Sequence, residues 1–100
     1  MESVAQTAKF QLGQQVMTRG VFEEVQADPV FAAFVARSAY RHSQGDWGDL
    51  DEEDKAANDA GMEGEGDRLL SSYNQEGLPN IWIITEWDRS VTTVLFPSEY

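Results

Sequence analysis

The last fifth of the chain, Asn80 to Tyr100 (NIWIITEWDRSVTTVLFPSEY), constrains the fold most tightly. Six of the seven residues from Ile81 to Trp87 are β-branched or aromatic, a composition that suits a pleated strand. Alternation puts Ile81, Ile83, Thr85 and Trp87 on one face and Trp82, Ile84 and Glu86 on the other. Both faces carry bulk, so the strand is expected to be central, with helix cover on one side. Asp88-Arg89-Ser90 interrupts the pattern with side chains that bond nearby backbone groups, a turn signal. Val91 to Phe96 returns as a second strand, and Pro97, which has no N–H to donate, ends it. The reading is an antiparallel hairpin of residues 81–87 with 91–96.

The remainder reads as elements laid against this hairpin. Residues 1–9 are expected to form a flexible arm and 10–100 a single domain. Phe10 to Thr18 is a short strand in which Gly13 permits a bulge. Thr18 caps a short helix over Val21–Ala27. Asp28-Pro29 is a stronger start, a capping carboxylate followed by proline at the first helical position. The helix it opens, 29–42, carries Val30, Phe31, Phe34, Val35 and Ala39 as an apolar stripe, with Arg37 and Arg41 on another face. Trp47, set between Gly45 and Gly48, is expected to pin its loop to the body. Asp49 or Asp51 caps an acidic helix over residues 52–60, which Gly61 can end. Gly64-Glu65-Gly66 reads as a flexible linker, because no Gly-Lys-Ser/Thr follows it and the surrounding acids would repel phosphate. Arg68 to Tyr73 is a further strand. The fold class is α+β: a small antiparallel sheet with a C-terminal β-meander, packed against two or three helices.

Charge and composition exclude several function classes. The formal charge is −11, and residues 46–67 hold ten of the eighteen acids with a single base, Lys55. That segment carries −9, leaving −2 for the other 78 residues. Direct nucleic-acid binding needs basic clusters and is not expected. An acidic face repels DNA and membrane surfaces and attracts basic protein surfaces or cations. The absence of cysteine removes thiol catalysis, disulfides and cysteine-based zinc sites. MESVAQTAKF has neither a basic start nor an apolar run, so it does not read as a signal peptide, and a cytoplasmic location is expected.

Three segments, FQLGQQVMTRG (10–20), RHSQGDWGDLDEEDKAAND (41–59) and IWIITEWDRSVTTVLFPSEY (81–100), together resemble a family of small proteins labelled "plasmid-related". The family occurs on bacterial plasmids and integrative elements and in gut bacterial genomes. Some relatives carry a restriction-modification subunit label, although 100 residues cannot hold a methyltransferase and its cofactor fold. The resemblance covers most of the chain. It implies a mobile-element setting, and it carries no catalytic residues and no cofactor. MEGEG at 62–66 departs from the family's simpler helix end, which suggests that this connection tolerates change.

Three sets of residues are candidates for a site. His42, Asp46, Glu86 and Asp88 could hold a divalent metal for a small hydrolase. The plainer reading is that His42 sits at a helix end and Asp88 shapes a turn. No calcium-loop spacing supports the acidic run, since neither Asp49-x-Asp51-x-Glu53 nor Glu63-x-Glu65-x-Asp67 has the required glycine and closing glutamate. Asp46, Asp49, Asp51, Glu52, Glu53, Asp54 and Asp59 form an acidic face. It is either a solvated surface that maintains solubility or a carboxylate array imitating DNA phosphates toward a basic, nucleic-acid-binding protein. Trp47, Trp82 and Trp87 form an interface if exposed together, or core if helix 29–42 covers them. Arg89 is expected to pair with Glu86 or Asp88, and Arg37 or Arg41 with the acidic loop, each pair worth roughly 0–1 kcal/mol if exposed. The leading expectation is a non-enzymatic protein-binding accessory or anti-defence factor of a mobile element. A homodimer built on a sheet edge stays open.

Overall fold

The computed structural model describes residues 7–63 and 67–100. The expected linker Gly64-Glu65-Gly66 and the first six residues of the expected arm lie outside them. The elements are β1 (Gln14–Met17), α1 (Arg19–Ala27), α2 (Pro29–Ser43), α3 (Glu52–Met62), β2 (Leu69–Tyr73), β3 (Ile81–Thr85), β4 (Val91–Leu95) and a final 3-10 turn (Pro97–Glu99). They build an α+β fold around one four-stranded sheet of order β1-β4-β3-β2.

β2, β3 and β4 form the expected antiparallel meander, with Ser71 opposite Ile83 and Ile83 opposite Val94. β3 is central, as its two bulky faces require. The sheet as a whole is mixed rather than antiparallel, because β1 joins the far side of β4 in parallel, with Gln14 level with Val91 and Met17 with Val94. That direction delivers the chain into α1 at the end where β4 finishes. There the Thr18 N–H donates to the Val94 carbonyl (3.0 Å), and the Thr18 hydroxyl donates to Glu99 Oε1 (2.7 Å). Glu99 also accepts from the Phe96 N–H (2.8 Å), so one carboxylate fastens the C-terminal turn beside the N-terminus of α1.

Three capping residues start the helices as the sequence indicates. Thr18 accepts from the Val21 N–H, Asp28 from the Val30 N–H and Asp51 from the Asp54 N–H. α2 presents Phe31, Phe34, Val35, Ser38 and His42 to the sheet. Val30, expected in that stripe, faces solvent. The core is Val21, Phe31, Phe34, Val35, Tyr73, Ile81, Ile83 and Val94, between α1–α2 and one sheet face.

β1 is shorter than expected. It starts at Gln14 because Gly13 turns in the left-handed region (φ +64°), and a Cβ there would lie 2.3 Å from the Ser90 carbonyl oxygen. Phe10 consequently leaves the sheet and packs edge-on to His42 (5.4 Å between centroids) and against Trp47 (5.9 Å). β3 and β4 also stop short of the expected bounds. Glu86 and Trp87 lead into a turn in which Asp88 accepts from the Ser90 N–H (3.0 Å) and Arg89 adopts φ +60°. α3 runs through Gly61 to Met62, so the glycine does not terminate it.

Candidate functional site

His42 sits at the end of α2 and points into the sheet. It is buried, and both ring nitrogens are engaged: Nδ1 with Ser71 Oγ (2.5 Å) and Nε2 with Thr85 Oγ1 (2.9 Å). The direction of these bonds follows from the far end of the chain they belong to. The Thr92 hydroxyl donates to the Leu12 carbonyl (2.7 Å), which cannot donate in return. Thr92 must then accept from Thr85 (2.7 Å), and Thr85 must accept from His42 Nε2–H. Neutral His42 therefore carries its proton on Nε2 and accepts from Ser71 at Nδ1. Burial pushes its pKa down to about 4.

This arrangement corrects the metal reading. A ligand nitrogen needs a free lone pair, and the only one on His42 is taken by Ser71. Asp46 is exposed and held by Arg41, with Nε at 2.7 Å and a terminal nitrogen at 3.1 Å, and it also accepts from the Gly48 N–H. The Arg41 guanidinium keeps the Asp46 carboxyl below its ordinary pKa. Asp88 shapes the hairpin turn, and its bonds to Ser90 likewise hold its pKa down. Glu86 lies at the start of the same turn, where its backbone bonds Val91 and Arg89. Among the described residues no group of three or more histidines and carboxylates is placed to hold an ion.

The seven acidic candidates divide into two kinds. Asp46, Asp49, Asp51 and Asp59 each have a structural partner. Asp49 accepts from the Asn74 N–H (2.9 Å), Asp51 caps α3, and Asp59 accepts from Trp47 Nε1–H (2.9 Å). Glu52 lies 3.8 Å from Lys55 with its own side chain almost fully exposed, a weak pairing. The carboxylates of Glu53 and Asp54 accept no hydrogen bond from any described residue and stand exposed on the first turn of α3. Among the described residues the acidic stretch thus presents unpaired carboxylates at Glu53 and Asp54 and a weakly paired one at Glu52.

It also closes an edge of the sheet. The outward backbone groups of β2 belong to Leu70 and Ser72, and Asn74 follows just beyond its end. The Asn58 side-chain amide donates to the Leu70 carbonyl (2.8 Å) and accepts from its N–H (3.4 Å). The Ser72 N–H donates to the Trp47 carbonyl (3.2 Å), and the Ser72 carbonyl accepts from the Asp49 N–H (2.7 Å). Gly48 makes this approach possible, since a Cβ there would lie 2.0 Å from the Ser72 oxygen. Asp46, Trp47, Asp49, Asn58 and α3 together form one rim along β2.

The three tryptophans do not share a face. Trp47 is 2% exposed, wedged between Phe10 and His42 as the pin of its loop. Trp82 lies on the sheet face away from α2, edge-on to Tyr100 (5.5 Å), with Arg68 over the Tyr100 ring (4.9 Å). Trp87 is 59% exposed in the hairpin turn, outside β3. Helix cover of all three is therefore corrected, as is a common tryptophan interface.

The arginine pairings hold in part. Arg41 takes Asp46 and stacks over Tyr73 (4.9 Å), but Arg37 bonds Gln75 (2.6 Å) rather than the acidic loop. Arg89 is buried and donates to the carbonyls of Gly61 (2.8 Å), Asp67 (2.8 Å), Glu86 (3.1 Å) and Trp87 (3.3 Å). It fastens the β3–β4 turn to the C-terminal end of α3, where carbonyl dipoles favour a cation. Sequence reasoning missed this role because it assigns arginines to carboxylates. It also missed Asn58, whose only sequence signal is a lone amide in an acidic helix.

No protein-family model matches the chain, and neither curated proteins nor solved structures give a match.

Proposed function

We propose that this chain is a non-enzymatic, cytoplasmic protein-binding factor of a bacterial mobile element, akin to the plasmid-related proteins it resembles. Its working surface is the acidic rim along β2, and its partner is a protein with a basic, nucleic-acid-binding surface. In an anti-defence role the rim occupies that surface in place of DNA. The observation that supports this most is the division of labour among the acids. Four carboxylates build the rim, while Glu52, Glu53 and Asp54 remain exposed on a helix hydrogen-bonded to it. Carboxylates held on a fixed frame attract a basic surface without the ordering cost of a flexible acidic tail. The metal-hydrolase reading has no observation in its favour, since its four residues serve separate local structures.

The test is an affinity capture from host lysate with wild type and with the triple variant Glu52→Gln, Glu53→Gln, Asp54→Asn, which leaves the Asp51 cap intact. The expected result is a partner that wild type retains, that the variant loses, and that duplex DNA displaces. Equal retention by both proteins would contradict the reading.

A further inference from the structure

The sheet has two edges, and the chain treats them differently. The β2 edge is closed group by group by Asn58, Trp47 and Asp49. The β1 edge is left open by the described residues. In the parallel register, Gln14, Val16 and Thr18 direct their backbone bonds to β4, with Gln14 N–H to Ser90 and Thr18 N–H to Val94, both 3.0 Å. The N–H and C=O groups of Gln15 and Met17 therefore point away from the sheet, and no described residue takes them. All four residues of β1 are exposed and uncharged. Natural edges are normally guarded by a charge, a proline, a bulge or a covering segment. Beside this edge, on the helix-bearing side, an apolar groove of about 380 Å³ is lined by Met17, Phe22, Val25, Val35, Ala36 and Ala39.

We propose that this edge is a self-association surface, on which two copies join β1 to β1 antiparallel about a two-fold axis at Val16. Two features favour a second copy over a foreign strand. The first is self-complementarity. With the axis at Val16, Gln15 of each copy stands opposite Met17 of the other, and both outward groups of each pair are bonded, four bonds in all. Each Met17 then lies on the same face as the other copy's groove. The second is charge. Each chain carries −11, with −9 of it in residues 46–67, whose rim runs along the opposite edge. Joining at β1 makes one eight-stranded sheet and leaves the two acidic rims at its far ends, about 34 Å apart at ~4.8 Å per strand spacing. That is about four Debye lengths at physiological salt, so their repulsion is screened. The β1 edge itself offers no charge with which to select a foreign partner.

The test is the oligomeric state by sedimentation equilibrium from about 10 μM to about 1 mM, a range that reads even a weak dimer. Three variants accompany wild type. Gln15→Pro removes an outward N–H without touching a bond to β4, while Val16→Lys and Val16→Glu place like charges at the axis. Circular dichroism monitors folding. The expected result is a wild-type dimer, monomers for each folded variant alone, and a dimer again when Val16→Lys and Val16→Glu are mixed. Should Gln15→Pro unfold the chain, the mixed pair decides. A wild-type monomer throughout the range overturns the proposal, including one whose Gln15 and Met17 amides are protected by a foreign extended segment. So does a wild-type dimer that survives the lysine and glutamate substitutions.

Discussion

His42 illustrates how a residue that looks catalytic in a sequence can be committed to structure. Its two ring nitrogens join α2 to β2 and β3, and the same line of hydroxyls continues through Thr92 to Leu12. Protonating Nδ1 would break the bond from Ser71 and place a charge in the core. The folded pKa of about 4 lies below the ordinary value of 6.5, so between those limits the unfolded chain binds more protons. The stability this residue contributes is complete above pH 6.5 and is lost as pH falls toward 4, a change of about 3 kcal/mol for such a shift. Urea unfolding across pH 4–7, for wild type and His42→Gln, checks it. The carboxylates titrate in both proteins, so the difference between the two curves isolates the histidine. A second prediction concerns Arg89, which fastens the β3–β4 turn to Gly61 and Asp67. Arg89→Met keeps the apolar stem and removes the donors, and chemical denaturation is expected to show a loss of about 2–3 kcal/mol.

At the scale of elements, the helices and the meander were legible because their signals are local. Thr18, Asp28-Pro29 and Asp51 each start a helix by accepting a backbone N–H two or three residues ahead, a relation the sequence alone contains. β2, β3 and β4 follow one another through short turns, so adjacency in sequence gave their pairing. The position and direction of β1 were not legible. Its partner β4 lies more than seventy residues away, and a four-residue QQVM strand does not encode which neighbour it takes or in what sense. The rim was half legible: the acids were visible as charge, but their separation into structural and free carboxylates depends on the loop meeting β2 at Gly48. Asn58 tests that closure. Replacing it with Leu leaves the Leu70 N–H and C=O without their side-chain partner, and a loss of about 1–3 kcal/mol is expected in thermal or urea unfolding. Faster hydrogen exchange at Leu70, with Ser72 unchanged, would localise the effect to the edge.

Across the whole molecule, charge and backbone valence are distributed on opposite sides of the sheet. The β2 side carries most of the net charge and has its hydrogen bonds satisfied; β1 is uncharged, and no described residue takes its outward backbone groups. No helix among the described residues is long and apolar enough to cross a membrane. In the proposed function the acidic rim acts by charge on a preformed frame, and that proposal has a direct measurement. The affinity of the captured partner is measured against salt concentration for wild type and for the Glu52→Gln, Glu53→Gln, Asp54→Asn variant. The account predicts wild-type binding that weakens steeply with salt, and variant binding weaker by about tenfold or more at low salt with a shallower dependence. Equal affinities and equal salt dependence for the two proteins would contradict it.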